Sequence, residues 1–181
     1  MTTAVTEFEV KALEIDPADI ADRVAKAGGV HITDRHMRRY VYDTVPAVAG
    51  KWVRLRDTGS DVTLCVKEIT SDQVDGTRET EVGVSDFDTA HALLTASGLT
   101  ARAYQENRRS SWELDGVRLE LDQWPLIPPY LEIEADTEAA VWAMADRLGL
   151  DRSGLTGENT TAVYARYGID LTSVTDLRFT S

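Results

Sequence analysis

The chain has a single cysteine, Cys65, among its 181 residues. No disulfide can form within it, and there is no cysteine cluster to hold zinc. Its three histidines, His31, His36 and His91, are scattered and lack metal-ligand spacing. Basic residues are in deficit: Lys plus Arg number 19 against 31 Asp plus Glu, a formal net charge of −12. Such a field repels polyanions, which argues against a nucleic-acid binder or a partner for anionic membranes. An anionic substrate would need a local basic site with a metal beside it. Low-complexity stretches and Pro/Gly/Ser-rich linkers are missing, so residues 1–181 read as a single domain, long enough to bury a core. The opening M-T-T-A-V-T-E-F-E has no apolar signal region, and no run approaches the length that crosses a bilayer. The expectation is a soluble, cytoplasmic protein.

What is present is a succession of short alternating runs. After E-F-E-V-K at 7–11, Asp16-Pro17 opens a helix with Ile20, Val24 and Ala27 at helical spacing, and Gly28-Gly29 stops it. Residues 35–43, 51–56, 62–69 and 78–84 read as strands, the second and third joined by the turn signal D-T-G-S-D. Ser85-Asp86 caps a helix whose apolar positions are Phe87, Ala90, Leu93 and Leu94, ended by Gly98. Residues 104–114 and 117–122 form a hairpin across Asp115-Gly116. A strand at 130–135 follows Pro128-Pro129. A helix starts at Thr137 with Val141, Met144, Ala145 and Leu148 on one face, and a last helix spans about 159–167. Eight strands with helices between groups of them predict an antiparallel α+β fold, either an open sheet or an eight-stranded antiparallel β-barrel with peripheral helices.

The charges follow the strand period. Glu7, Glu9 and Lys11 fall on one face of the first strand, Phe8, Val10 and Ala12 on the other. Arg54 and Arg56 oppose Val53 and Leu55. Lys67 shares a face with Thr63 and Cys65, against Val62, Leu64 and Val66. Glu79 and Glu81 alternate with Thr80 and Val82. Arg109, Ser111 and Glu113 oppose Arg108, Ser110, Trp112 and Leu114. Arg118, Glu120 and Asp122 oppose Val117, Leu119 and Leu121, and Glu132 and Glu134 oppose Leu131 and Ile133. An ordinary half-buried antiparallel strand also has one apolar and one polar face, the polar one turned to solvent. Solvent faces, however, mix in Ser, Thr, Gln and Asn, whereas these are dominated by charge of both signs. A closed sheet offers another place for them: a wet interior in which opposite charges pair or bind ligands. There, carboxylates suit Mg²⁺ or Mn²⁺ and basic residues suit phosphate oxygens, the requirements of a metal–triphosphate.

In their order along the chain these elements resemble the CYTH family, the triphosphate tunnel metalloenzymes, which include class IV adenylyl cyclases, thiamine triphosphatases and inorganic triphosphatases. The likeness runs from Glu7 to about Asp170. The family's Glu-x-Glu-x-Lys is matched by Glu7, Glu9 and Lys11, its Arg-x-Arg by Arg54 and Arg56, and its following lysine by Lys67. Its paired glutamates after an arginine are matched by Arg78, Glu79 and Glu81. Its basic pair is matched by Arg108 and Arg109, with Arg109 expected to point inward, and its late acidic strands by Asp122, Glu132 and Glu134. The segment W-P-L-I-P-P-Y-L-E-I-E resembles a bacterial branch grouped with class IV adenylyl cyclases.

The resemblance implies Mg²⁺ or Mn²⁺ held by Glu7, Glu9 and Glu134, with Glu132, Glu81 and Asp122 in support. It implies phosphates held by Lys11, Arg54, Arg56, Lys67 and Arg109, and catalysis carried by Glu7, Glu9, Lys11 and Asp122 around a carboxylate-positioned water. The expected activity is phosphohydrolysis of a triphosphate-containing small molecule. Cyclisation of ATP to cyclic AMP stands second, and a non-catalytic polyphosphate or nucleotide sensor third; a homodimer is compatible with each. Two positions depart from the family pattern. The stretch T-T-A-V-Y-A-R-Y lacks the basic residue that many members carry before Ser-Tyr in the last helix. Arg39 stands where many relatives have an acidic residue. Both bear on which group is recognised beyond the phosphates. The remaining residues of note have structural readings: the histidines and Cys65 as packing, Gly28-Gly29 as a helix stop, and Trp52, Trp112 and Trp142 on outward apolar faces beneath helices. Trp124, next to Pro125, is expected to anchor a loop.

Overall fold

Eight strands close on themselves in the computed structural model, which describes residues 5–180. They are β1 (Val5–Ala12), β2 (Val30–Val48), β3 (Lys51–Asp57), β4 (Val62–Ile69), β5 (Thr77–Val84), β6 (Ala101–Leu114), β7 (Val117–Gln123) and β8 (Tyr130–Ala135). The order around the ring is β6-β2-β3-β4-β5-β1-β8-β7, and β7 pairs back onto β6. Each neighbouring pair is antiparallel. Closure gives every strand a partner on both sides and leaves no long free edge. The β6–β7 link is a two-residue turn with Asp115 and Gly116 at φ 49 and 78, the left-handed pair that a type I′ hairpin requires.

Four helices cover the outside: α1 (Pro17–Lys26), α2 (Phe87–Ala96), α3 (Glu138–Arg147) and α4 (Thr160–Arg166). Each starts on a side chain that caps its free N–H groups, from Asp16, Asp86, Thr137 and Asn159. Ile20 and Val24 of α1 join Val141, Met144, Ala145 and Leu148 at α3 over the outward residues Val10, Ala12, Leu119, Leu121, Leu131 and Ile133. Phe87, Ala90 and Leu94 of α2 cover Tyr42, Val53, Leu55 and Leu64. Val163 and Tyr164 of α4 pack with Trp124, Ile127, Tyr130, Leu171 and Leu177. The apolar core therefore lies between barrel and helices, which frees the inner face for charge. Among the described residues no helix is long and apolar enough to cross a membrane.

The strand and helix predictions hold, with corrections at the ends. β2 is much longer than 35–43, because its first residues pair with the far half of β6, from Val30↔Glu113 onward. Two short strands were not anticipated: β9 (Leu155–Thr156), on the edge of β1, and β10 (Asp176–Leu177), parallel to β6. Both are two-residue pieces with no periodicity of their own, held by the partner they cover.

Because the core lies outside the barrel, Leu119→Ala should destabilise the fold without touching the interior charges. Leu119 is fully buried in that core, so the loss should be about 2–5 kcal/mol in denaturant unfolding. A change below about 1 kcal/mol would contradict the packing described.

Candidate active site

Residues directly opposite one another in a ladder share a face, and the observed registers assemble the charges into inward rows. Glu9 lies opposite Glu134, which lies opposite Arg118. Lys11, Glu132, Glu120 and Ser111 form a second row. Asp122, Arg109 and Arg35 form a third. Trp52, Lys67 and Glu79 make another, as do Arg54, Cys65 and Glu81, and Arg56, Arg39 and Gln105. The ring order sets β2 and β3, which carry Arg39, Arg54 and Arg56, across from β1 and β8, which carry Glu7, Glu9, Glu132 and Glu134. Between them is a cavity of about 630 Å³, whose lining includes Glu7, Glu9, Lys11, Arg39, Arg54, Arg56, Lys67, Glu79, Glu81, Arg109, Glu132 and Glu134.

Inside, the charges interlock. Lys11 Nζ is 2.9 Å from Glu9 Oε1 and 3.5 Å from Glu132 Oε2. Lys67 Nζ bridges Glu7 at 2.9 Å and Glu79 at 2.8 Å. Arg54 reaches Glu79 at 2.8 Å and Glu81 at 3.4 Å, and Arg56 reaches Glu81 at 3.3 Å. Arg109 donates from Nε to Asp122 at 2.9 Å and lies 3.6 Å from Glu132. Arg118 pairs with Glu134. Burying such charges is expensive, and mutual pairing is what makes it tolerable.

The two sides differ electrostatically. Burial raises the Glu134 carboxyl to about 7, and the neighbouring carboxylates of Glu132, Glu7 and Glu9 add to it against Arg118. Burial also raises Glu7, against the pull of Lys67. Glu132 goes the other way: despite burial, Lys11 and Arg109 hold it down at about 2. On the opposite wall burial lowers Arg56 to about 10, helped by Arg54 and Arg109. The first wall is lined mainly by carboxylates and the second mainly by guanidinium groups.

The acidic wall presents the type of oxygen donor that a hard divalent cation takes. Glu7, Glu9, Glu132 and Glu134 supply carboxylate oxygens with no sulfur or imidazole among them. Among the described residues the one trio with ligand atoms all within 4.8 Å is different: Cys65, Glu79 and Glu81. That trio is already neutralised by Arg54 and Lys67, and burial pushes the Cys65 thiol up to about 12, which keeps it protonated. On the acidic wall Lys67, Lys11 and Arg118 each hold a different carboxylate, from Glu7, Glu9 and Glu134 respectively.

Of the site residues expected from sequence, Glu7, Glu9, Lys11, Arg54, Arg56, Lys67, Glu81, Arg109, Glu132 and Glu134 all line the cavity. Asp122 lies behind it, fully buried, bonded to Arg109 and to Asn107 Nδ2 at 2.8 Å. Arg108 points outward beneath Phe179, as its place in the basic pair implied. Trp52 corrects the expectation of an outward tryptophan: it lies two residues before Arg54, shares its face, and lines the cavity. Trp124 also lines the cavity, while packing with Tyr164 in the α4 cluster. Glu79, Glu120, Arg39 and Asn107 were not among the expected site residues. The first two lie on charged faces and were legible by the same period. Asn107 carries no charge to mark it, and Arg39 shares its face with the apolar Met37 and Val41, which interrupt the charge pattern. The histidines lie outside the cavity lining, His91 bonded to the Tyr42 hydroxyl at 2.7 Å.

A closed barrel with interleaved acids and bases on its inner wall is a charged-tunnel protein. The chain belongs to the CYTH domain family, whose domain matches residues 6–160. Solved structures of the same fold include the PH1012 protein of Pyrococcus horikoshii OT3, 22% identical with a TM-score of 0.74, covering 84% of this chain and 96% of that one. A candidate adenylate cyclase of Vibrio parahaemolyticus is 16% identical with a TM-score of 0.76, covering 90% and 99%. A candidate adenylyl cyclase of Hippeastrum, HpAC1, described as having a dominant triphosphatase activity, is 13% identical with a TM-score of 0.60, covering 93% and 99%. At these identities the likeness establishes the fold. No curated protein matches the chain.

Proposed function

We propose that this protein is a Mg²⁺- or Mn²⁺-dependent phosphohydrolase that takes a triphosphate into the barrel. The observation that carries this reading is the polarised interior, with carboxylates from β1 and β8 facing guanidinium groups from β3. In the Hippeastrum protein the same fold has a dominant triphosphatase activity, which supports the choice of hydrolysis. Lys11, Arg54, Arg56, Lys67 and Arg109 bind the phosphate oxygens. Those oxygens compete with Glu7, Glu9, Glu79 and Glu81 for the same N–H donors, so triphosphate entry exchanges internal ion pairs for phosphate contacts. Glu7 and Glu9 are thereby freed to join Glu132 and Glu134 in holding the cation, with Glu81 in support. A divalent cation held there would supply charge neutralisation at the reacting phosphoryl group. Asp122 acts as a positioning residue: it grips Arg109 from behind and aims it into the tunnel. A carboxylate of the acidic wall orients the attacking water and takes up its proton.

The test is product identity. Purified protein is incubated with inorganic triphosphate, thiamine triphosphate and ATP, each with Mg²⁺, with Mn²⁺ and with excess chelator. The expected result is metal-dependent release of inorganic phosphate from at least one of them. Cyclic AMP with pyrophosphate from ATP would replace hydrolysis by cyclisation, and undiminished turnover in chelator would remove the metal.

A further inference from the structure

Arg39 is a buried basic residue of the tunnel wall that the triphosphate clamp leaves unexplained. It is 7% exposed and lines the cavity. Lys11, Arg54, Lys67 and Arg109 each have a carboxylate within ion-pair distance. Arg39 has none among the described residues. Its Nη2 donates to Asn107 Oδ1, and Asn107 passes its own amide on to Asp122, which Arg109 already grips. A neutral amide cannot balance a guanidinium. The buried Nε of Arg39 has no acceptor, and neither does the buried Nε of Arg56, its partner across the β2–β3 ladder. The Arg39 guanidinium lies 4.5 Å over the Trp124 ring and covers that face of the indole. Burial lowers its pKa to about 9, with Arg54, Arg56 and Arg109 contributing, so positive charge is in surplus around it. An apolar side chain could fill the space over Trp124 at far lower cost than a buried cation with spare donors.

We infer that Arg39, held from behind by Asn107 and next to the clamp residue Arg56, forms an anion subsite at the edge of the triphosphate clamp that takes one further phosphoryl group of an inorganic polyphosphate. The inference rests on the triphosphate reading above and extends it to the substrate's length. The chemistry favours a tetrahedral oxyanion over a flat base. The free donors are guanidinium N–H groups, which match phosphate oxygens. The Trp124 face that a base would stack on is occupied by Arg39, and Tyr164 packs edge-on against the same indole.

Calorimetric titration with tripolyphosphate and tetrapolyphosphate in metal-free buffer tests this without turnover. The proteins compared are wild type, Arg39→Met, Arg39→Lys and, as the reference for the clamp, Arg54→Ala. Thermal unfolding establishes that each is folded. Wild type is expected to bind tetrapolyphosphate about tenfold more tightly than tripolyphosphate. Arg39→Met should erase that advantage while leaving tripolyphosphate within about twofold of wild type, and Arg39→Lys should restore part of it. Equal weakening of both ligands in Arg39→Met would put Arg39 inside the clamp and overturn the additional subsite. Unchanged binding of both would make Arg39 structural and overturn it as well. Failure of the triphosphate reading has its own signature, Arg54→Ala leaving both affinities unchanged, which is separable from either result for Arg39.

Discussion

Glu9→Gln is expected to leave a folded protein whose metal-dependent turnover falls by about 10²-fold or more. Glu9 is 8% exposed, lies opposite Glu134 in the β1–β8 ladder, and accepts a hydrogen bond from Lys11 Nζ at 2.9 Å. Glutamine has the same shape, and its carbonyl oxygen can still accept from Lys11, so the local geometry survives. What is lost is one negative charge on the acidic wall. If Glu9 only balances Lys11, the loss is small, because Glu132 also lies within 3.5 Å of that ammonium. If Glu9 holds the cation, the loss is of catalytic size and the metal concentration needed for half-maximal turnover rises. Turnover measured across a metal titration, together with thermal unfolding, separates the two. Near-wild-type turnover in a folded Glu9→Gln protein would reject the assignment.

The reason so much of this barrel could be read from the chain is that its chemistry follows the strand period. Glu7, Glu9 and Lys11, or Arg54 and Arg56, alternate with apolar partners, and a period of two assigns them to one face without any knowledge of the fold. Which face is inner is a tertiary fact. It follows from closure, which sends Val10, Leu119 and Ile133 outward beneath α1 and α3. Trp52 was misread because its apolar ring suggested the core, although its position two residues before Arg54 put it inside. Arg39 could be seen to depart from its relatives, but nothing local marks it as buried without a carboxylate. That property is set by where Trp124, Asn107 and Arg56 arrive from three other parts of the chain. The strands β9 and β10 were invisible for a related reason. They complete the edges of β1 and β6 and have no pattern apart from those partners.

Replacing either arginine of β3 by alanine should weaken binding of a non-hydrolysable triphosphate strongly, by about 10²-fold for Arg54 and somewhat less for the more exposed Arg56. Arg54 is 8% exposed, and each guanidinium keeps a buried Nε with no protein acceptor. The terminal nitrogens reach Glu79 and Glu81 at distances from 2.8 to 3.4 Å, contacts that phosphate oxygens can displace. Arg54→Ala also strips a counter-ion from Glu79, but Lys67 remains 2.8 Å from that carboxylate, so the barrel retains most of its internal compensation. Any loss of stability is checked by denaturant unfolding. Arg54→Lys then separates charge from shape: lysine restores the charge but not a planar two-pronged donor, so binding should recover only in part. Full recovery by lysine would mean that the wall supplies only a positive field. Unchanged affinity in both alanine variants would mean that the phosphates do not sit against β3 at all, and a hydrolase built on that wall would have to be abandoned.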